Sequence, residues 1–327
     1  MHVHNAMMNY EQIARELMRS LRGRRSQVAL SRRLGYRTNA VYSWEAGRDF
    51  PTALRFFEVA TRVGVDVSAA LERFYQRRPS FLESHAPLDR PAVAALLSEL
   101  RGSIPVVELA ARTGYTRFAI ARWLNGRCEP RLPQFLALIE ASSLRVLDFI
   151  AAFVDPTTLP SLEKPWRDLE ATRRAAHDVP WTQAVLHCLE LPAYAAQGPH
   201  VPGFIAGQLG ISVEEEERCL QLLLDTGQVQ RAGERYAVQH ALTVDLRRDP
   251  ASTRRLRSFW TRVALERLEA GSGGVYSYNV FGISNADLVR LRELHASYYQ
   301  QMRAIIAQSQ PVERVAITST QLLALDD

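Results

Sequence analysis

The chain has 327 residues, of which 47% are hydrophobic and 23% charged, and its formal net charge is +5 at pH 7. This composition is typical of a globular protein of two or three domains and excludes a disordered or fibrous chain. No apolar run approaches the ~20 residues that a membrane span needs, and the N-terminus has no visible signal peptide. Three widely spaced cysteines favour a reducing compartment. We therefore expect a cytoplasmic protein with no membrane association.

The positive charge is concentrated near the N-terminus. Residues 1–80 hold 14 arginines against 7 acidic residues, whereas residues 81–155 hold 8 of each. A concentration of arginine on one domain attracts a polyanion such as nucleic acid. The gradient therefore places a nucleic-acid partner at the first part of the chain.

The N-terminal half contains an internal repeat. A shift of 79 residues aligns 17 identical residues without a gap, among them Trp44 with Trp123. Such self-similarity indicates a duplicated domain. We predict two related domains, at residues 9–78 and 91–155.

Each copy of the repeat predicts five short helices. In the first copy, the third helix is expected from about Thr38 to Glu45, with Val41 and Trp44 buried on one face. Capping residues, prolines and apolar spacing mark the helix starts. The five predicted helices of this copy begin near Ile13, Ser26, Thr38, Pro51 and Asp66.

The first copy also carries a specific spacing of polar, glycine and tryptophan residues. It reads Gln27-x-x-Leu30-Ser31-x-x-x-Gly35, then Val41-x-x-Trp44-Glu45-x-Gly47-Arg48-x-x-Pro51. This spacing resembles the Cro and phage-repressor (xenobiotic-response-element) class of helix-turn-helix domains. The resemblance covers residues 10–75 and, more loosely, 92–154. In that class the second helix crosses the phosphate backbone and the third enters the major groove.

The resemblance implies roles for individual side chains of the first copy. Gln27 matches the position that contacts a phosphate at the start of the second helix. Arg37 and Arg48 flank the third helix and would hold phosphates. An amide such as Asn39 can pair bidentately with adenine. The side chains expected to reach base edges are Thr38, Asn39, Tyr42 and Ser43; the alternative is an ordinary solvated helix face.

The second copy is apolar at three positions that are polar in the first: Val106, Phe118 and Leu124. An apolar ring at residue 118 suits a protein contact as well as a thymine methyl group. Arginines nevertheless surround this helix. Either the second copy also reads DNA, or it binds a protein partner. The candidate DNA-binding residues of this copy are Arg117, Arg122 and Arg127.

The C-terminal half predicts a different architecture. Residues 77–91 and 156–165 are expected to be linkers. Residues 166–245 have the order helix, turn, helix and two-stranded ribbon, which is typical of a winged helix. Its second helix begins with four carboxylates, Glu214–Glu217, which would repel phosphates. We therefore interpret this domain as structural or dimerising.

The last segment, residues 250–327, predicts a long helix at 252–268 and a strand–helix–strand ending. Alternating apolar residues predict strands at 275–281 and 312–325, and the helix between them begins at Ser284. From Trp166 onward the chain resembles a family of uncharacterised bacterial proteins, whose members are guessed to be transcriptional regulators. We expect a homodimer through this half. Its tyrosines could form a core, a dimer seam or a pocket, which leaves open a small-molecule or peptide effector.

No enzymatic motif is visible. The histidines have no partner at metal-binding spacing, and Gly271-Ser272-Gly273-Gly274 lacks the lysine and the helix of a phosphate-binding loop. We therefore predict a protein that is not an enzyme and that has no metal and no cofactor.

The sequence as a whole predicts a mainly α protein. It would comprise two five-helix helix-turn-helix domains followed by a winged-helix-like and small α+β C-terminal region. The predicted function is sequence-specific binding of double-stranded DNA in transcription regulation. The alternative is an adaptor or antitoxin-like protein whose repeats mainly bind protein partners.

Overall fold

A computed structural model describes residues 8–84, 88–102, 104–239 and 250–326. Within these ranges the chain is mainly helical, with one two-stranded sheet. It divides into two compact units, Met1–Arg167 and Asp168–Asp327. Both repeats therefore lie in a single unit. No helix of the described ranges is long and apolar enough to cross a membrane.

The first repeat contains five helices. At each helix start, a polar side chain accepts a hydrogen bond from a backbone N–H three residues later, which satisfies one of the unpaired donors of the first turn. These helices are therefore bounded by signals within the local sequence. They are α1 (Tyr10–Arg22), α2 (Gln27–Arg33), α3 (Ala40–Glu45), α4 (Ala53–Val63) and α5 (Val67–Tyr75).

The segment between the repeats is not the simple linker that we predicted. It contains the short helix α6 (Phe81–Ser84), in which Phe81 and Leu82 are buried. The ring of Phe81 lies edge-on to that of Tyr75, with 5.8 Å between centroids. The ring of Phe81 thus packs against the first repeat, and burial of both side chains favours the ordered conformation of this segment.

The second repeat has five helices in the same order. They are α7 (Arg90–Arg101), α8 (Val106–Thr113), α9 (Arg117–Leu124), α10 (Leu132–Ser143) and α11 (Val146–Phe153). The 79-residue shift of α3 would start the equivalent helix at residue 119. Helix α9 instead begins at Arg117, because Thr116 provides its N-cap.

The proline-rich stretch at 156–165 is also more ordered than predicted. It forms a 3-10 helix at Pro156–Thr158 and then enters α12 (Glu163–Asp178). Pro165 is tolerated in the first turn of α12, where the N–H groups have no intrahelical acceptor. The carboxylate of Glu16 accepts hydrogen bonds from the backbone N–H and hydroxyl of Ser161, at 3.0 and 2.7 Å. The stretch is therefore tied back to α1.

The second unit begins within α12 and contains the predicted series of helices and the ribbon. The ribbon pairs β1 (Val229–Ala232) with β2 (Arg235–Val238) in antiparallel register, with Val229 opposite Val238. Val185, Cys219 and Leu223 are fully or almost fully buried in the core beneath it. The helices before the ribbon are α13 (Thr182–Cys188), α14 (Pro192–Ala196), α15 (Phe204–Leu209) and α16 (Val213–Asp225).

The C-terminal segment differs from the prediction. Two long helices are present, α17 (Pro250–Glu269) and α18 (Asn285–Gln308), and Ser284 caps α18 as expected. The strands predicted at 275–281 and 312–325 are wrong, because neither stretch forms a ladder with any described residue. An alternating pattern produces a strand only when its backbone groups find a partner. Val275 and Tyr278 are instead 100% and 94% exposed.

Candidate nucleic-acid interface

Helices α3 and α9 are anchored by the same pair of aromatic rings. Trp44 of α3 is buried and meets Tyr36 edge-on, with 5.5 Å between centroids. Trp123 of α9 meets Tyr115 with the same spacing. Edge-to-face packing of this kind favours one orientation of the ring. The anchoring therefore fixes which face of each helix points outward.

The outward face around α3, which we call the α3 surface, comprises Arg37, Thr38, Tyr42, Ser43 and Arg48. All are exposed except Ser43, which is partly buried. The guanidinium of Arg48 lies 5.1 Å from the centre of the Tyr42 ring. Such a cation–π contact orients the arginine and leaves its N–H donors available to an acidic ligand. The predicted residues of this surface are therefore mostly exposed. One carboxylate adjoins them, that of Asp49, which lies 3.5 Å from Nη1 of Arg131.

Asn39 makes contacts within the fold at the start of α3, and its contact with adenine stays a prediction. It is the N-cap of α3, and its Oδ1 accepts hydrogen bonds from the backbone N–H of Tyr42 at 3.2 Å and from the Ser31 hydroxyl at 3.1 Å. A bidentate contact with adenine needs this oxygen as an acceptor. Because the oxygen is already engaged within the fold, Asn39 positions the helix start.

Gln27 also makes a contact within the fold. Its Nε2 donates a hydrogen bond to Oε2 of Glu45 at 2.7 Å. The Glu45 carboxylate is buried and also accepts from Nε of Arg22 at 2.5 Å. This hydrogen bond is the largest cause of the raised pKa of Arg22. One N–H of the Gln27 amide thus helps to join α1, α2 and α3. The amide nitrogen carries a second N–H, so the contact with a phosphate stays a prediction.

The outward face around α9, the α9 surface, comprises Arg117, Phe118, Arg122 and Arg127. All four are exposed, and Phe118 retains 72% of its accessible area. The guanidinium of Arg122 lies 5.8 Å from the centre of the Phe118 ring. Among the described residues, none of these three arginines forms a salt bridge. The surface therefore combines unneutralised positive charge with an exposed aromatic ring.

Two arginines that we did not single out also belong among the candidates. Arg24 and Arg25 are exposed in the turn between α1 and α2. The run of basic residues from Arg22 to Arg25 is the sequence signal that identifies them. In helix-turn-helix proteins the backbone of the DNA passes near the first helix of the motif, so these side chains are candidates for phosphate contacts.

In the second unit, helix α16 begins with a run of carboxylates, Glu214–Glu217, whereas the α3 and α9 surfaces carry arginines. The prediction that four carboxylates face outward at the start of α16 was wrong for Glu216, which is fully buried. Its Oε2 accepts a hydrogen bond from the backbone N–H of Ala206 at 2.6 Å, and its Oε1 lies 3.6 Å from Nε2 of His200. Glu214 and Glu217 remain exposed. The start of α16 is therefore an acidic surface, which disfavours phosphate contact.

The cysteines of the second unit have the properties of core residues. Cys188 and Cys219 are buried, and burial raises their pKa to about 11 and about 12. A thiol in this state is a poor nucleophile and a poor metal ligand. The described residues contain no group of histidine, cysteine or acidic side chains that could hold a metal ion.

Comparison with known proteins reaches only the C-terminal half. Residues 163–325 match a family model described as a domain of unknown function (DUF4423). The matched segment begins at the start of α12, so both repeats lie outside it. No curated protein and no solved structure matches the chain.

Proposed function

We propose that the chain is a sequence-specific DNA-binding transcription regulator that places α3 of the first repeat in the major groove. In this proposal each repeat is a five-helix helix-turn-helix domain of the Cro and phage-repressor class. The observation that carries the proposal is the α3 surface, an exposed face with arginines at both ends and polar side chains between them. Arg37 and Arg48 would bind phosphates, while Thr38 and Tyr42 would meet base edges.

The direct test is binding of the full chain to duplex DNA. The chain first selects a recognition sequence from a random duplex pool at near-physiological salt. The variant R37A/R48A should then lose about 10-fold to 100-fold in affinity for that sequence, because two charge-assisted phosphate contacts are removed. The control is R62A, which removes an exposed arginine at the far end of α4. Equal affinity of the double variant and the control would refute the assignment of this surface.

The adaptor function is a second candidate, and the exposed ring of Phe118 favours it. Salt dependence separates the two functions. A phosphate interface with several contacts loses several decades of affinity between low and moderate salt while keeping its sequence preference. Weak binding that salt abolishes and that shows no preferred sequence would instead favour a protein partner.

We also propose that two chains associate through the C-terminal half. The extended stretch before α18 exposes Val275, Tyr278 and Val280, and its backbone pairs with no described strand. Exposed apolar residues along an unpaired stretch are typical of an interaction surface. Sedimentation of the full chain should show a dimer, and the variant Y278D/V280D should shift it to monomer. A monomeric unsubstituted chain would contradict this proposal.

A further inference from the structure

The two repeats meet through backbone hydrogen bonds between equivalent residues. The N–H of Ala53 donates to the carbonyl of Pro130 at 3.0 Å, and the N–H of Leu132 donates to the carbonyl of Pro51 at 2.8 Å. Each residue of one bond is separated by 79 positions from the corresponding residue of the other bond, so the two bonds are equivalent under the repeat. Between them, Thr52 and its equivalent Arg131 form an antiparallel bridge. Such reciprocity is the mark of a two-fold interface, in which each partner uses the same patch.

The side chains around this bridge form one buried core shared by both repeats. Phe57 of α4 lies 5.8 Å from Phe135 of α10, and Phe74 of α5 lies 5.5 Å from Phe149 of α11. All four rings are at most 2% exposed. Because well-packed aromatic rings resist independent movement, this core fixes the two repeats relative to each other.

A further polar contact also joins equivalent positions. The guanidinium of Arg73 donates to the carbonyl of Ala152 at 2.8 Å, and residue 152 is the 79-residue equivalent of residue 73. Tyr75 donates its hydroxyl to the carbonyl of Leu96 at 3.2 Å. Side-chain bonds thus join the repeats in addition to the backbone bridge.

We infer that a single chain carries both halves of a DNA-binding dimer, so that it reads two unlike half-sites at a fixed separation, one with the α3 surface and one with the α9 surface. This inference rests on the proposed function. Helix-turn-helix dimers obtain the same arrangement from two chains and read half-sites about one helical turn apart. Here the internal two-fold relation supplies it within one chain. Since the two surfaces differ in sequence, the halves of the site must differ as well.

The chemistry of the two surfaces predicts how the half-sites differ. The α9 surface offers Arg117 and Arg122, and arginine pairs bidentately with O6 and N7 of guanine. Phe118 beside them fits a thymine methyl group. The α3 surface offers Thr38 and Tyr42 at the corresponding face, whose hydroxyls suit no single base as specifically. We therefore expect guanine to be enriched in the half-site that α9 reads.

The test compares the sequences selected by the full chain and by two surface variants. The variant T38A/Y42A changes only the α3 surface, and R117A/R122A changes only the α9 surface. Each is selected against the same random duplex pool, with R62A as the control. The expected result is a bipartite motif of two dissimilar halves, in which each variant erases the preference in a different half. If two chains bind the DNA together, the selected sequence should contain the same pair of half-sites twice.

A second measurement tests the fixed separation. Insertion of five or of ten base pairs between the halves should lower the affinity at least 10-fold in both cases. Recovery with ten base pairs would show that the repeats move independently, and would overturn the inference. So would a motif that responds only to T38A/Y42A. Absence of any motif in all pools would instead refute the proposed function itself, so the two failures are distinguishable.

Discussion

The first repeat joins three helices by polar contacts at positions where the second repeat carries apolar residues. In the first repeat, the buried carboxylate of Glu45 accepts hydrogen bonds from Arg22 and Gln27 and so connects three helices. A buried carboxylate is stable only when such donors surround it. The polar residues at this junction therefore depend on one another.

In the second repeat, Leu124 stands where Glu45 is found and Val106 stands where Gln27 is found. The arginine equivalent to Arg22 is retained as Arg101, and its buried Nε has no hydrogen-bond partner among the described residues. Both repeats nevertheless contain the same order of helices and the same aromatic anchor. The Tyr–Trp pair is therefore common to the two repeats, whereas the junction is polar in the first and carries apolar residues in the second.

The largest expected effect comes from removing the core that the two repeats share. Phe149 contacts rings of both repeats, including Phe57 and Phe135. The substitution Phe149→Ala should lower the free energy of unfolding by about 3–5 kcal/mol, because it leaves a cavity in a packed core. Urea denaturation of the full chain measures this change in the free energy of unfolding. The matched control is Phe118→Ala, an exposed ring of the same repeat, which should change stability by only about 0.5 kcal/mol.

If the two repeats unfold together, Phe149→Ala should shift the unfolding of both. Tryptophan fluorescence can follow each repeat separately when Trp166, Trp181 and Trp260 are replaced by Phe together with either Trp44 or Trp123. Loss of stability in the second repeat alone would contradict a shared core.

The next prediction concerns the junction of α1, α2 and α3, which is polar in the first repeat and carries apolar residues at the equivalent positions of the second. Glu45→Leu alone should destabilise the protein by about 1–3 kcal/mol, because it leaves the donors of Arg22 and Gln27 without their acceptor. The double variant E45L/Q27V copies the second repeat and should recover more than half of this loss. Thermal or urea unfolding of both variants and of Gln27→Val completes a double-mutant cycle. Additive losses would show that the two positions are independent.

A smaller effect distinguishes capping from base recognition at Asn39. Asn39→Ala should cost about 1 kcal/mol of stability, because the cap of α3 is lost. Asn39→Ser retains a capping oxygen and should keep both the stability and the DNA affinity of the parent chain. Thr116→Ala, which removes the cap of α9, provides the matched comparison in the second repeat. A drop in DNA affinity with Asn39→Ser at unchanged stability would instead support the predicted contact of Asn39 with a base.

The smallest expected effect is a change in the pH dependence of stability. It arises from Glu140, which has no acidic equivalent in the first repeat. Glu140 occupies the position of Thr61, and burial raises its pKa above the ordinary value of a glutamate. The folded state therefore binds this proton more tightly than the unfolded state. Its contribution to stability is complete below the unfolded pKa and is lost as pH rises through the folded pKa.

The variant E140Q should remove this part of the pH dependence. An amide oxygen can still accept the hydrogen bond from the backbone N–H of Val146, which the carboxylate now accepts at 3.0 Å. Between pH 4 and 7 the free energy of unfolding should fall less steeply with rising pH for E140Q than for the parent chain. Parallel curves would contradict the raised pKa.

The sequence by itself determined those features that depend on neighbouring residues. The duplication, the burial of Val41 and Trp44, the caps at Ser26 and Ser284 and the ribbon around residue 233 all follow from local patterns. A capping side chain reaches a backbone N–H only three residues away, and helical periodicity orients a face within one or two turns. Such features need no knowledge of the rest of the chain.

Only the tertiary structure decided which polar groups are used internally. Asn39 and Gln27 have the types and positions expected for DNA contacts, and the structure adds their internal partners: Ser31 donates to the Asn39 oxygen, and Glu45 accepts one N–H of Gln27. The strands predicted at 275–281 and 312–325 failed for a related reason, since a strand requires a partner that its own sequence does not supply. The pairing of the repeats likewise depends on hydrogen bonds between Ala53 and Pro130 and between Leu132 and Pro51. The physical reason is the same in all three cases. The type of each residue determines which hydrogen bonds it can form, but contacts between residues far apart in sequence determine which partner it has.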